Sequence, residues 1–227
     1  MRKAIIAAVL ILVPLISVLS AVGGFLRYDL AMMIIAVLCC VPFFLQFEKR
    51  TPSARELVLV AVMTAFSAAG RFIFAPLPFF KPVSAIVIIA GMYFGASAGF
   101  MTGSLSAVIS NIYFGQGAWT PFQMFCWGMI GLAAGLLNRK NLLEKAVPLC
   151  IFGALSGVFY SLVMDVWTTL SIDGTFSLAR WLAAVISALP ITAVYAVSNV
   201  VFLLALRKPL GRRLVRLKTK YGVFEQE

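Results

Sequence analysis

The sequence predicts an all-α polytopic membrane protein. Of its 227 residues, 62% are hydrophobic and 12% are charged, and the mean hydropathy is +1.01. Soluble domains contain roughly 45–50% apolar and about 25% charged residues. The apolar residues are also gathered into runs of the length that crosses a bilayer, about 20 residues in a helix. These three observations exclude a soluble globular fold.

Seven apolar runs, separated by polar residues, define the predicted spans in chain order. They are 4–22, 30–47, 57–70, 83–114, 121–137, 146–170 and 181–206. The fourth run would make a single helix about 48 Å long, against a hydrocarbon core of about 30 Å. We therefore expect it to divide near Gly95 into two short helices, which makes eight helices in total.

The cations of the loops predict which ends of the helices face the cytoplasm. When the fourth run is counted as two helices, 15 of the 19 Lys and Arg residues fall on one side of the membrane. Because cytoplasmic loops collect Lys and Arg, we expect this side, with both chain termini, to be cytoplasmic. The four cations expected outside are Arg27, Arg71, Lys81 and Arg180.

We divide the chain into three parts. Residues 1–50 are expected to form an N-terminal transmembrane helix pair, 51–207 a core of six helices, and 208–227 a basic cytoplasmic tail. The first 22 residues also resemble a secretory signal, but the sequence around Ser20 and Ala21 makes a poor cleavage site. The basic residues of 207–220 either bind anionic lipid or a cytoplasmic partner, or are simply a stop-transfer flank.

The composition excludes several classes of chemistry. The chain has no histidine, so it cannot hold a Ser-His-Asp triad, an H-E-x-x-H zinc site or an imidazole proton relay. It has no Gly-Lys pair and therefore no phosphate-binding P-loop. The cysteines lie in apolar runs without metal-type spacing: Cys39, Cys40, Cys126 and Cys150. We therefore expect no enzyme, no metal site and no cofactor, but the ligand-binding part of a transporter that is powered by other subunits.

Aromatic and amide side chains gather at the predicted outer face. Segment 113–127 contains six aromatic residues: Tyr113, Phe114, Trp119, Phe122, Phe125 and Trp127. The amides Asn111, Gln116 and Gln123 lie among them. Such a combination is typical of a pocket for a flat or partly apolar ligand, although an interfacial aromatic belt is the alternative. Gln123 could instead belong to a capping box in which Thr120 is the N-cap.

A second outer loop and one buried acid complete the candidate site. Loop 71–82 contains four phenylalanines, two cations and three prolines, so it is either a lid over the same pocket or a connector lying in the interface. Asp165 is the only carboxylate well inside a predicted span, at a cost of about 2.5–3.5 kcal/mol. We expect it to contact the ligand or to pair with Arg71 or Arg180.

Small residues recur every fourth position on several predicted helices. They are Ala61, Ala65 and Ala69; Gly95, Gly99, Gly103 and Ala107; Gly131 and Gly135; and Gly153 and Gly157. Such stripes allow helix backbones to approach closely, and internal packing explains most of them. One stripe could instead form an interface with another membrane subunit.

Three separated segments carry a resemblance to a known family. They are Arg71-Phe72 with 79–86, then 99–111, and then 114–124. In these segments the chain resembles the S components of energy-coupling factor (ECF) vitamin transporters. Within that family it is most similar to the group assigned to cobalamin or related corrinoids. The similarity covers about 54–206, as a six-helix S-component core, and leaves 1–50 as an addition.

The resemblance implies a receptor of the bacterial plasma membrane that captures vitamin B12 (cobalamin) outside. A transmembrane T component and two cytoplasmic ATPases would then deliver it inward. The alternative is a smaller cargo such as a thiamine precursor, a benzimidazole or a queuosine precursor. S components present an Ala-x-x-x-Ala motif to the T component, which implies that contact for Ala61, Ala65 and Ala69. The expected substrate-binding residues are Arg71, Phe79, Lys81, Asn111, Tyr113, Gln116, Trp119, Gln123, Trp127 and Asp165.

Overall fold

A computed structural model describes residues 52–174 and 176–224, together with separate positions between 34 and 48. The two long segments contain six helices: α1 (Ala54–Ile73), α2 (Val83–Phe94), α3 (Ala96–Phe114), α4 (Thr120–Asn138), α5 (Ala146–Asp173) and α6 (Leu178–Tyr221). Four of these, α1, α4, α5 and α6, are long and apolar enough to cross a membrane. The all-α prediction is therefore confirmed for the part of the chain that the structure describes.

The predicted N-terminal helix pair lies mostly outside the described residues. None of the residues of the first predicted span, 4–22, is described. The described positions between 34 and 48 are helical, and Cys40 and Phe47 among them are buried. The ring of Phe44 lies 6.0 Å from the ring of Phe100, edge to face, so this segment packs against α3.

The predicted division of run 83–114 is confirmed. Helix α2 ends at Phe94 and α3 begins at Ala96, with a single residue, Gly95, between them. Gly95 has a φ of +90°, in a region that glycine enters without steric cost. Because α3 runs back beside α2, the start of α2 and the end of α3 lie at the same end of the bundle.

Glycines set the close packing of α2, α3 and α4. Every residue of α2 except Tyr93 is buried, so this short helix lies at the centre of the bundle. A Cβ on either Gly91 or Gly99 would collide with the carbonyl oxygen of Gly131 on α4. The small-residue stripes predicted for internal packing are thus confirmed at these contacts, where the helix backbones nearly touch.

The described part of the bundle has two chemically different ends. The site end consists of residues 71–82 and 110–123, and the basic end of 54–56, 93–96, 138–146 and 207–224. At the site end, Arg71 closing α1 bonds to residues at the end of α3. At the basic end, the N–H of Phe224 donates to Glu56 Oε1 at 2.7 Å, and its ring stacks on Phe94 with centroids 4.7 Å apart.

Helix α6 is much longer than the predicted span 181–206. Its 44 residues correspond to about 66 Å, so it continues well beyond the hydrocarbon core. The segment predicted as a basic tail is therefore helical as far as Tyr221. Val223 and Phe224, which follow it, are buried against the basic end.

Candidate functional site

A cavity of about 320 Å³ lies at the site end of the bundle. Its walls come from the end of α1, loop 74–82, the start of α2, the end of α3, the first half of α4 and the middle of α5 and α6. The lining residues are Arg71, Ala75, Pro78, Phe79, Lys81, Val83, Ser84, Phe114, Gln123, Trp127, Gly157, Tyr160, Tyr195 and Asn199. Distant parts of the chain therefore converge on one site.

One wall of the cavity is aromatic. The rings of Trp127 and Tyr160 are stacked, with centroids 5.3 Å apart and planes 10° from parallel. Tyr195 stands edge-on to Tyr160 at 5.1 Å, and Phe79 stands edge-on to Tyr195 at 5.8 Å. Offset and edge-to-face pairs of this kind fix the ring orientations. The wall therefore presents preformed flat surfaces to a ligand.

A chain of side-chain hydrogen bonds runs beside this wall. Asn111 Nδ2 donates to Gln123 Oε1 at 2.8 Å and to Thr120 Oγ1 at 2.9 Å. Gln123 Nε2 in turn donates to the hydroxyl of Tyr160 at 3.1 Å. Asn111 and Gln123 are both buried. Because a buried amide is costly unless it is bonded, this polar chain holds its members in fixed positions.

Arg71 lies at one end of this chain of hydrogen bonds and is held there by several contacts. One terminal nitrogen donates to Ser110 Oγ at 2.5 Å and to Asn111 Oδ1 at 2.7 Å. The guanidinium lies 4.5 Å from the ring centre of Phe114 and 5.3 Å from that of Trp127. No carboxylate pairs with it among the residues that the structure describes. Since guanidinium has five N–H donors in a fixed fork, several of them remain for a ligand.

Loop 74–82 closes one side of the cavity and is tied together by Lys81. The ammonium group of Lys81 donates to the carbonyl oxygens of Phe74, Ala75 and Leu77, the last two at 3.0 and 2.7 Å. Burial, and then the nearby charge of Arg71, lower the pKa of Lys81 below its ordinary value. Phe79 has a φ of +59°, uncommon for a non-glycine residue, and lines the cavity. The loop is thus a shaped wall of the site.

A family model identifies the class of protein to which the chain belongs. The model of the S component of ECF-type riboflavin transporters matches residues 51–212, more than half of the chain. The chain belongs to this family. No solved structure matches it. As an S component, it is a transport subunit and not an enzyme, and it is a multi-pass membrane protein. Membership implies a vitamin substrate and the ECF module as partner.

The match confirms the resemblance to S components and corrects the expected group within that family. The expected extent of the similarity, 54–206, agrees closely with the matched residues 51–212. The assignment to the cobalamin group is wrong, because the matching family model is that of riboflavin transporters. The cavity is also small: about 320 Å³ is near the lower limit of ligand pockets, about 300–1,000 Å³. The aromatic and amide residues of 111–127 do not by themselves reveal the volume of the cavity.

The cavity of the S component brings together five of the ten expected binding residues. Arg71, Phe79, Lys81, Gln123 and Trp127 line it. Asn111 does not line the cavity, but it bonds to both Arg71 and Gln123.

Four other expected binding residues do not line the cavity. Tyr113 is 66% exposed and contacts Phe72, with ring centres 4.5 Å apart. Gln116 donates to the carbonyl oxygen of Val108 at 2.8 Å. Trp119 is the N-cap residue of α4, and its ring lies against Gly117. Asp165 is on α5, outside the cavity lining.

The predicted capping box at the start of α4 is wrong. The N-cap residue is Trp119, and no side chain caps the helix. Gln123 instead turns inward to Asn111 and Tyr160, because these long-range partners satisfy both ends of its buried amide. Thr120 accepts from Asn111 and from the N–H of Gly117. The residues expected to begin the helix therefore belong to the site.

The predicted ion pair of Asp165 is also wrong. Arg71 bonds to Ser110 and Asn111, and Arg180 pairs with Asp173 at 2.7 Å. Asp165 is 8% exposed, and its Oδ2 atom has no hydrogen-bond partner within the described residues. Both cations therefore bond to acceptors other than Asp165.

Sequence reasoning missed four polar lining residues of the S component, Ser84 at the start of α2 and three on later helices. Tyr160, Tyr195 and Asn199 lie on α5 and α6, far along the chain from residues 71–82 and 110–123. Asn199 Nδ2 donates to the carbonyl oxygen of Gly153 at 3.0 Å, which joins the two helices. A signal was present for these three, since each is a polar side chain in the middle of an apolar run, and such groups are costly at membrane depth.

Proposed function

We propose that this S component binds riboflavin in the cavity at the site end. The observation that carries the proposal is the pairing of a flat aromatic wall with a fixed polar chain. Riboflavin has a flat three-ring isoalloxazine whose one edge is apolar and whose other edge carries hydrogen-bond donors and acceptors. The stacked Trp127 and Tyr160 suit its faces, and Gln123 and Arg71 suit its polar edge.

Size and charge support riboflavin over a corrinoid and over a cationic cargo. A corrinoid is a macrocycle with many amide side chains, several times larger than a three-ring flavin, whereas the cavity measures about 320 Å³. The lining carries two cations, Arg71 and Lys81, and no carboxylate among the described residues, which disfavours a cationic ligand. Exposed carbonyl oxygens, as on an isoalloxazine, match such a lining.

The proposal extends to the partners and the orientation. Ala61, Ala65 and Ala69 lie along one side of α1 and are all exposed, so this alanine face is free to meet the T component. The site end is proposed to face outward and the basic end the cytoplasm, because the cations concentrate at the latter. Two ATPases of the ECF module then drive release of the vitamin inward across the plasma membrane.

A binding measurement with the purified full-length chain tests the proposal. Quenching of riboflavin fluorescence is titrated with the protein in detergent, and cobalamin, thiamine and queuine are offered as competitors. We expect saturable riboflavin binding at one site that none of the competitors displaces. Tight binding of cobalamin, or displacement of riboflavin by a different vitamin at equal concentration, would contradict the proposed substrate.

A further inference from the structure

A second cavity, lined by cations, lies at the basic end. Its volume is about 480 Å³, and it shares no lining residue with the riboflavin site. The lining residues are Tyr93, Arg207, Lys208, Gly211, Arg212 and Val215. The five residues from α6 are spaced three and four apart, which places them on one side of that helix. We name this cavity the cationic groove.

The floor of the cationic groove is formed by a fixed tyrosine. A Cβ on Gly211 would overlap the phenol ring of Tyr93, so the ring rests directly on the α6 backbone. Lys218 also donates to the carbonyl oxygen of Tyr93 at 3.5 Å. The Tyr93 hydroxyl has no hydrogen-bond partner among residues 52–174 and 176–224. It is therefore a donor available to a ligand of the groove.

The cations of the groove have no acidic partners in the described part of the chain. Arg180 forms an ion pair with Asp173, but Arg207, Lys208 and Arg212 form none with a described carboxylate. Arg207 is half-buried, so its charge is partly removed from water. Two guanidinium groups, an ammonium group and a phenol hydroxyl form a set of donors typical of phosphate recognition.

The groove lies at the depth where α6 leaves the membrane. No charged residue occurs in α6 between Arg180 and Arg207, a stretch of about 39 Å at about 1.5 Å per residue. This length is enough to cross a hydrocarbon core of about 30 Å. One to two turns before Arg207, Val201 and Leu204 are exposed. Apolar side chains therefore continue from the groove into the lipid-facing surface.

We propose that the cationic groove binds the phosphate of an anionic phospholipid in the leaflet on the C-terminal side. Arg207 and Arg212 hold the phosphate oxygens, and the Tyr93 hydroxyl donates a further hydrogen bond. The acyl chains lie along Val201 and Leu204. The bound lipid thereby anchors α6, which also carries Tyr195 and Asn199 of the riboflavin site, at a fixed depth. This lipid site goes beyond the proposed function and does not depend on it.

Native mass spectrometry of the full-length chain tests this lipid site. The protein is released from mixed phosphatidylglycerol and phosphatidylcholine, and the retained lipid is counted for the unmutated chain, for R207Q/R212Q and for R139Q/K140Q. The last variant loses the same charge from exposed positions of the basic end outside the groove. We expect R207Q/R212Q to lose about tenfold in phosphatidylglycerol occupancy, as loss of charged hydrogen bonds predicts, and R139Q/K140Q to retain it.

Three outcomes would overturn the proposal. One is equal loss in both double variants, which would indicate general surface charge. Another is retention of phosphatidylcholine as well as phosphatidylglycerol. The third is full displacement of the lipid by soluble glycerol phosphate, which would assign the groove to a soluble anion. If R207Q/R212Q does not fold, by circular dichroism, then Arg212→Gln and Tyr93→Phe decide, because unchanged phosphatidylglycerol occupancy in both would equally overturn the proposal.

Discussion

The site end and the basic end of the bundle hold their cations in opposite ways. Arg71 at the site end is bonded to Ser110 and Asn111 and lies against two aromatic rings. Arg212 at the basic end is exposed on the side of a helix and has no carboxylate partner within the described residues. A preorganised cation can orient a small ligand within an ångström, whereas an open one suits a mobile, variable ligand such as lipid.

The two ends also differ in how their polar groups are connected. At the site end, Asn111, Gln123 and Tyr160 form one continuous chain of hydrogen bonds. At the basic end, the hydroxyl of Tyr93 remains open to a ligand. A connected polar chain transmits any change to all of its members, so substitutions at the site end should have larger effects than similar substitutions elsewhere.

The largest effect is expected from Arg71→Met. This change removes a charged donor from Ser110 and Asn111 and from the ligand, so riboflavin affinity should fall about 10- to 100-fold. Fluorescence titration measures it. The control is Arg180→Met, because Arg180 lies outside the cavity in an ion pair with Asp173 and its side chain is 52% exposed. Equal losses of affinity in both variants would contradict a direct contact between Arg71 and the ligand.

The next largest effect is expected from Gln123→Leu. The substitution keeps the side-chain volume but leaves Asn111 and Tyr160 without their shared partner, so riboflavin affinity should fall about tenfold. Gln116→Leu is the matched comparison, since Gln116 is exposed, does not line the cavity and bonds, within the described residues, only to Thr120 and Val108, so its loss should be smaller. A loss confined to Gln116→Leu would favour the aromatic-amide loop over the cavity as the binding site.

Ala65→Leu tests the exposed alanine face of α1, which does not line the cavity. Ala65 is exposed, so the larger side chain should leave riboflavin binding unchanged. Transport in cells that co-express the T component and the ATPases should fall several-fold, because a leucine separates closely packed helices. Ala183→Leu, at an exposed alanine of α6, is the matched control. Unimpaired transport by the Ala65 variant would remove α1 from the interface.

Little effect on binding is expected from Asp165→Asn, although this residue was expected in the site. Asp165 does not line the cavity and its Oδ2 atom has no partner among the described residues. Riboflavin affinity should therefore change by less than about twofold. The midpoint of thermal unfolding should stay the same or rise by a few degrees, because a buried unpaired carboxylate is replaced by a neutral amide. A tenfold loss of affinity would instead place Asp165 in the site.

Some of the site residues expected from local composition line the cavity, and others do not. Arg71, Phe79 and Lys81 were expected because two cations and four phenylalanines crowd one short loop. Tyr113 and Gln116 were expected on the same compositional ground, yet the first is exposed and the second bonds to Val108. Composition locates a polar, aromatic segment near the cavity, but the direction of each side chain depends on how the helices pack.

Gln123 shows how a local pattern can be overridden. The run from Thr120 to Gln123 satisfies the sequence rule for a capping box. In the folded protein, Gln123 bonds to Asn111 and to Tyr160, which is 37 residues away. A buried amide between two fixed partners is stabilised more than one exposed at a helix end, since burial makes unmade hydrogen bonds costly.

The sequence by itself determined the membrane location, the helical character of the described segments and the division at Gly95, because apolar length and the need for a glycine at a sharp turn are local properties. It also identified S components through separated motifs. Only the tertiary structure decided which side chains converge, since Tyr160 and Tyr195 line the same cavity as Arg71 through the packing of α5 and α6 against the buried α2. The volume of the cavity depends on the same packing. Because several helices enclose it, no single segment of the sequence determines it.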